Sequence, residues 1–309
     1  MSQTTPKLDR KKLNVDILNM YADQHAALGE SGTNTLLVRG HALSQEFNLA
    51  DILRGGGVLV FPHACVADCG HQIAACVHAC IESGADKVLV VSVLHAFTQD
   101  MEDARIRVAN GSSTGEGLDQ EPLRCIQGPG LDSGDNWKRD HVLISFRHFW
   151  DAETKRRGIK GTDKEPQVIE RYPYLAGGYP DTLPGIEELM EIVNDKNTVI
   201  VSTADPFHHG IGYGDAPENA YEPDEEGFRF ARETINEGIS LLAEGDYWGY
   251  NQHCVRAKSD ARDAGQVFRY LRGAMEGRII DFSYSDSTEL YGTPAPTWVA
   301  APLIEWKKV

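Results

Sequence analysis

The chain has 309 residues, with 30 Lys and Arg against 46 Asp and Glu, a formal charge of −16 at pH 7. That balance argues against a general nucleic-acid binder, which needs a basic footprint to displace counterions, and 41% hydrophobic with 25% charged residues is the make-up of a folded globular chain. Six Cys are too sparse for a disulfide framework, no apolar run reaches the roughly 18 residues that span a bilayer, and the amino-terminal stretch has cations without the apolar core of a secretory signal; the expected compartment is the cytoplasm.

Residues 1–11 read as a polar arm and 12–309 as a single catalytic α/β domain, because no linker interrupts them. Leu13, Ile17, Leu18, Tyr21 and His25 recur near a helical period, so a helix is expected over 13–28. Gly55-Gly56-Gly57 breaks the chain before Val58-Leu59-Val60-Phe61, an apolar run that ends at Pro62 and reads as a buried strand. The Ala- and Cys-rich stretch 72–83 predicts a helix closed by Gly84, and 87–94 a second buried strand. The strand–helix–strand unit with short connections implies a parallel pair.

Residues 111–138 are rich in Gly, Ser, Asp and Pro and read as a long surface loop, of a length that suits an active-site lid. Residues 151–184 are polar and turn-rich. A helix over 185–194 leads into a third buried strand, 197–203. Helices over 225–244 and 260–276 are followed by late strands at 278–284 and 297–304, the last expected to close the sheet. Strands alternating with helices predict an α/β fold with a mostly parallel central sheet flanked by helices.

All three buried strands run into histidine. They end Phe61-Pro62-His63-Ala64, Ser92-Val93-Leu94-His95, and Ser202-Thr203-Ala204-Asp205-Pro206-Phe207-His208-His209-Gly210. Ligands of open α/β sheets bind beyond the carboxyl ends of the strands. A lone histidine is ordinarily a hydrogen-bonded core or surface residue; three at equivalent strand ends point to a common site. Two neutral imidazoles from rigid strand ends plus one carboxylate form the facial triad that holds Fe(II) and leaves positions open for substrate and O₂. A third histidine at the open face could stay unligated and act as acid or base. The same donors would also suit a zinc hydrolase with a bound water.

Other candidates have plainer readings. His71 and His78 share a helix face and suit packing, and His148 and His253 are read as structural. Cys65, Cys69, Cys76 and Cys80 lack the paired spacing of zinc ribbons and read as small apolar helix residues. Arg105, Arg107, Arg139 and Arg147 read as solvated surface groups, with a substrate carboxylate as the alternative use. Gly210-Ile211-Gly212-Tyr213-Gly214 has no Lys-Ser/Thr after it and is not a P-loop.

Taken in order, Phe61-Pro62-His63-Ala64, the second strand ending in His95, the Ser-Thr-Ala-Asp-Pro-Phe-His-His-Gly segment and the closing Thr297-Trp298-Val299-Ala300-Ala301 resemble the superfamily of LigB-type class III extradiol dioxygenases and Memo-like proteins. The resemblance covers roughly residues 55–305, with 100–185 poorly matched. It implies His63 and His95 as metal ligands and His208 as the acid/base residue, with Asp205 beside it. His209 is the alternative in register to His208 and a candidate substrate-binding residue. LigB-type enzymes take a Glu as third ligand and Memo proteins a Cys. This chain has Lys258-Ser259-Asp260-Ala261-Arg262-Asp263 there, so Asp260 is the expected ligand and Asp263 the reserve, while a helix cap is the plain alternative for Ser259 and Asp260. Cys254 lies upstream. His141 falls where the family has a further polar pocket residue. The implied activity is Fe(II)-dependent, extradiol-type cleavage of a catechol or ortho-aminophenol ring with O₂. The alternative is a Memo-like metal- or peptide-binding or redox protein without ring cleavage. A homodimer is the default assembly.

Overall fold

The computed structural model describes residues 10–195 and 197–309, with side chains from Val15 onward. The chain begins with helix α1 (Arg10–Glu46), broken at Gly29, whose φ of 59° lies in the left-handed region. There follow α2 (Leu49–Arg54), β1 (Val58–Phe61), α3 (Val66–Glu82), β2 (Lys87–Val91) and α4 (Gln99–Ala109). The middle of the chain holds β3 (Cys125–Gln127), α5 (Ile144–Arg156), β4 (Gln167–Tyr174), α6 (Ile186–Asn194), β5 (Thr198–Thr203) and β6 (Phe207–Gly210). The last third holds α7 (Glu225–Glu244), α8 (Tyr247–Arg256), α9 (Arg262–Arg272), β7 (Met275–Asp286), α10 (Thr288–Tyr291) and β8 (Thr297–Lys308). Residues 1–9 of the expected polar arm lie outside the described residues, and Arg10 and Lys11 already belong to α1. Among the described residues no helix is long and apolar enough to cross a membrane.

The sheet is mixed rather than mostly parallel. Its centre is a parallel set in the order β4-β2-β5-β1. β3 adds antiparallel at one side, and β8 runs antiparallel to β1, β6 and β7 at the other. β8 therefore does not close the sheet. It lies inside it, with β1 and β6 along one edge and β7 along the other. The parallel core follows from sequence: β1, β2 and β5 are short, β-branched and buried along nearly their whole length, as strands covered on both faces must be. Helices supply the cover. Phe61 stacks on Phe146 of α5, while Val60, its neighbour on the opposite face, shares a small apolar cavity with Phe268 of α9 and Ile239 of α7.

β2 stops at Val91, earlier than expected, and residues 92–98 run irregularly to α4, so His95 stands on a loop. The 111–138 region is not bare loop: it carries a 3₁₀ turn at Leu118–Gln120 and the strand β3. The polar stretch 151–184 contains the end of α5 and the whole of β4.

α1 packs on α3 through Gly40, where an added Cβ would stand 2.7 Å from the Ala74 Cβ and 2.7 Å from the Ala75 backbone nitrogen. Neither neighbour can swing away, so the two helices would have to separate. Gly40→Ala is expected to destabilise the protein by about 1–3 kcal/mol in urea unfolding despite its better helix propensity; a stabilised variant would show that α1 is not seated this closely.

Candidate metal centre

The carboxyl edge of the parallel strands carries the site. His63 lies just beyond β1, Asp205 just beyond β5, and His95 beyond β2, with β5 between the other two strands. Asp260 arrives from the α8–α9 connection and is tied to the same edge, where its Oδ1 accepts the Asp205 backbone N–H at 2.8 Å. Three donor atoms then converge. His63 Nε2 lies 3.2 Å from His95 Nε2 and 3.1 Å from Asp260 Oδ2, and His95 Nε2 lies 3.2 Å from Asp260 Oδ2. An ion with bonds of about 2.1 Å to ligands at roughly right angles imposes donor–donor edges of about 3 Å, so this near-equilateral triangle fits one face around a single divalent ion.

The neighbours orient these donors. His63 Nδ1 is 3.0 Å from Thr203 Oγ1; a proton on Nδ1, donated to that hydroxyl, leaves Nε2 as the ligand atom. The His63 backbone N–H donates to Asp205 Oδ1 at 3.1 Å, and the buried Tyr21 hydroxyl donates to the His63 carbonyl. Asp205 Oδ2 is 3.7 Å from His63 Nε2. Asp205 and Asp260 are thus two carboxylates in one largely buried site. Burial by itself would push the His63 imidazolium down, but Asp205 and Asp260 more than reverse this and lift it to about 9. Burial would likewise raise Asp260, yet the His63 and His95 imidazoles hold it well below the usual carboxylate range. Asp205 moves the other way, raised by burial.

His141 and His208 complete the pocket. The His141 ring stacks on His95 at 5.2 Å between centroids and on Tyr21 at 5.6 Å, and its Nδ1 is buried without a hydrogen-bond partner. Its side-chain donor lies close enough to those of His63 and His95 for the three to form a second candidate donor group. Burial pushes the His141 imidazolium well down. His208 packs edge-on against Tyr213 at 4.9 Å, and burial lowers it to about 4. His63, His95, Asp205, His141 and His208 all line one cleft of about 1310 Å³.

Two expected residues are placed elsewhere. His209 is adjacent to His208 on β6 and so faces the opposite side. Its Nε2 accepts the Tyr221 backbone N–H at 2.9 Å, its Nδ1 lies 3.1 Å from Asp215 Oδ2, and its ring packs among Phe207, Tyr221 and Trp298. With both nitrogens engaged, it takes no part in the cleft. Asp263 Oδ1 accepts the Ala176 backbone N–H at 2.8 Å, away from the triangle. The helix-cap alternative for Asp260 also falls, because both its oxygens are used at the site; the Ala261 N–H bonds to Ser259 Oγ at 3.2 Å instead. Cys254 lines the apolar cavity under α7 and α9 and belongs to neither candidate donor group. His71 pairs with Asp281 at 2.9 Å, and His78 with Arg157 at 2.7 Å.

Residues 111–138 supply no lining to the cleft, so the lid expectation does not hold. The walls come from Ile17, Met20 and Tyr21 of α1, from 95–99, and from 284–291. Thr203, Tyr21 and Asp140 were not anticipated as site residues. Thr203 stood in view, beside Asp205 in the histidine-bearing segment. Tyr21 carried no such signal, because its contact with the His63 carbonyl depends on how α1 packs against α3 and α5.

No family model and no curated protein matches the chain.

In the metal-free protein His63 is cationic at pH 7, so an incoming ion must displace its proton. Affinity for Fe(II) should rise about tenfold per pH unit from 7 towards 9 and then level off, with proton release seen as a dependence of the calorimetric heat on buffer ionisation. His63→Ala should lose metal retention on gel filtration; retention at wild-type stoichiometry would contradict the ligand assignment.

Proposed function

We propose that the protein is a mononuclear non-haem Fe(II) enzyme of the extradiol ring-cleaving kind, acting with O₂ on a catechol or ortho-aminophenol. What supports this reading best is the triangle of His63 Nε2, His95 Nε2 and Asp260 Oδ2 with edges of 3.1 to 3.2 Å, a two-imidazole, one-carboxylate set whose two histidines line an open cleft. A carboxylate in the third position, with Cys254 elsewhere, favours oxygenase chemistry over a thiolate-bound redox metal. Bound Fe(II) would supply a template that holds the two adjacent ring heteroatoms and O₂ together.

The remaining roles belong to the chain. With its imidazolium pushed down to about 4, His208 is neutral at pH 7 and can take a proton from a substrate hydroxyl, then return it as the ring opens. The partnerless Nδ1 of buried His141 gives a second polar group for orienting the substrate. Phe97, Tyr213 and Tyr291 provide aromatic walls. At about 1310 Å³ the cleft exceeds the roughly 300–1,000 Å³ of ordinary small-molecule sites, which leaves room for a substituent on the ring.

Oxygen uptake by protein loaded with Fe(II) under anaerobic conditions is expected on mixing with a member of a catechol and aminophenol panel. His208→Gln should hold iron normally and lose about 10²- to 10⁴-fold in turnover. Iron-loaded wild-type protein that consumes no oxygen across the panel would refute ring cleavage.

A further inference from the structure

Asp140 is among the most buried carboxylates of the described residues, at 4% exposure. Its partners are backbone amides. Oδ2 accepts the N–H of His95 at 2.5 Å and of Ala96 at 2.9 Å, and Oδ1 accepts the N–H of Val142 at 3.1 Å. Two of these amides lie on the irregular loop after β2 and the third on the loop before α5, so one side chain joins two loops that have no strand pairing between them. Both loops carry a pocket histidine. His95 is itself the residue whose N–H is held, and His141 sits between Asp140 and Val142. The stacked arrangement of the two rings, 5.2 Å apart and 21° from parallel, spans the same pair of loops.

A carboxylate is the side chain this position needs. Removing an ionised group from water is costly unless charge-assisted hydrogen bonds replace its hydration, and three N–H donors do so. An amide could serve one loop only, because its NH₂ end would face a backbone N–H, donor against donor.

We infer that Asp140 is a positioning residue for the metal centre: it fixes the backbone of His95 and, through Val142, the register of His141 against it. The inference rests on the metal reading above and deepens it. A second, independent tie reaches the same loop away from the His95 amide: Asn136 Nδ2 donates to the Ala96 carbonyl at 3.0 Å.

The test is Fe(II) and Co(II) binding to the full chain, with Asp140→Asn compared with wild type and with Asn136→Ala. Asn136→Ala removes a neighbouring tether of the same loop without touching the His95 amide. Asp140→Asn should weaken Co(II) and Fe(II) binding about 10- to 100-fold and change the visible spectrum of the Co(II) protein, whereas Asn136→Ala should leave both near wild type. Equal losses in the two variants would mean that general loop integrity is being measured, and would overturn the inference. Wild-type binding with an unchanged Asp140→Asn would overturn it alone, and absence of metal binding by wild type would remove the metal reading with it. Amide hydrogen exchange on the unsubstituted, metal-free protein gives a check that does not depend on the variant folding. The His95 and Ala96 amides should be strongly protected, and exchange at the rate of exposed loops would contradict the clamp.

Discussion

The site depends on one oxygen. Asp260 Oδ2 lies within about 3.2 Å of two imidazole nitrogens that are themselves 3.2 Å apart, and the rest of the local structure arranges for that convergence. Two carboxylates, Asp205 and Asp260, are brought into a largely buried place, which is unfavourable unless positive charge joins them. In the metal-free chain His63 supplies it by holding a proton up to about pH 9. A divalent ion would supply it more fully, balancing both carboxylates while both imidazoles stay neutral. The raised His63 imidazolium and the suitability of the place for a cation are thus two consequences of the same excess of acid.

The fold delivers these groups from different depths of the sequence. The parallel strands set the coarse positions, because the carboxyl ends of β1, β5 and β2 lie side by side. Fine positions come from hydrogen bonds beyond the donors: Thr203 on the His63 ring, Asp205 on its amide, Tyr21 on its carbonyl, and Asp140 on the His95 amide. Metal sites built this way separate rough placement, which is the work of secondary structure, from orientation, which falls to outer hydrogen bonds. α1 has a part in both: it walls the cleft with Ile17, Met20 and Tyr21, and the Tyr21 hydroxyl donates to the His63 carbonyl.

Much of this was legible in the chain. The apolar runs of β1, β2 and β5 announce buried strands, and the histidines that follow them mark the edge where the site forms. Of the two acids weighed as third ligand, Asp260 stands beside His63 and His95, whereas Asp263 bonds the Ala176 backbone. The distinction between His208 and His209 was within reach but needed β6 to be seen as a strand; alternation then sends one ring to the cleft and the other into an aromatic cluster. Other features left weak signals. β4 reads Gln-Val-Ile-Glu-Arg-Tyr-Pro-Tyr, with charges in a strand that nonetheless sits in the parallel core, because Arg171 and Glu170 find ionic partners on Glu188 and Arg147. The interior place of β8 could not be read at all, since it depends on β6 and β7 pairing to it from either side. The 111–138 region resembled a lid by length and composition, whereas none of its residues lines the cleft.

Anomalous diffraction at the iron edge, from crystals of the Fe(II)-loaded protein grown without oxygen, would locate the ion among these side chains. One strong peak is expected, at bonding distance from His63 Nε2, His95 Nε2 and Asp260 Oδ2. A peak bound by other residues, or no peak in the cleft of protein that carries iron, would contradict the ligand assignment.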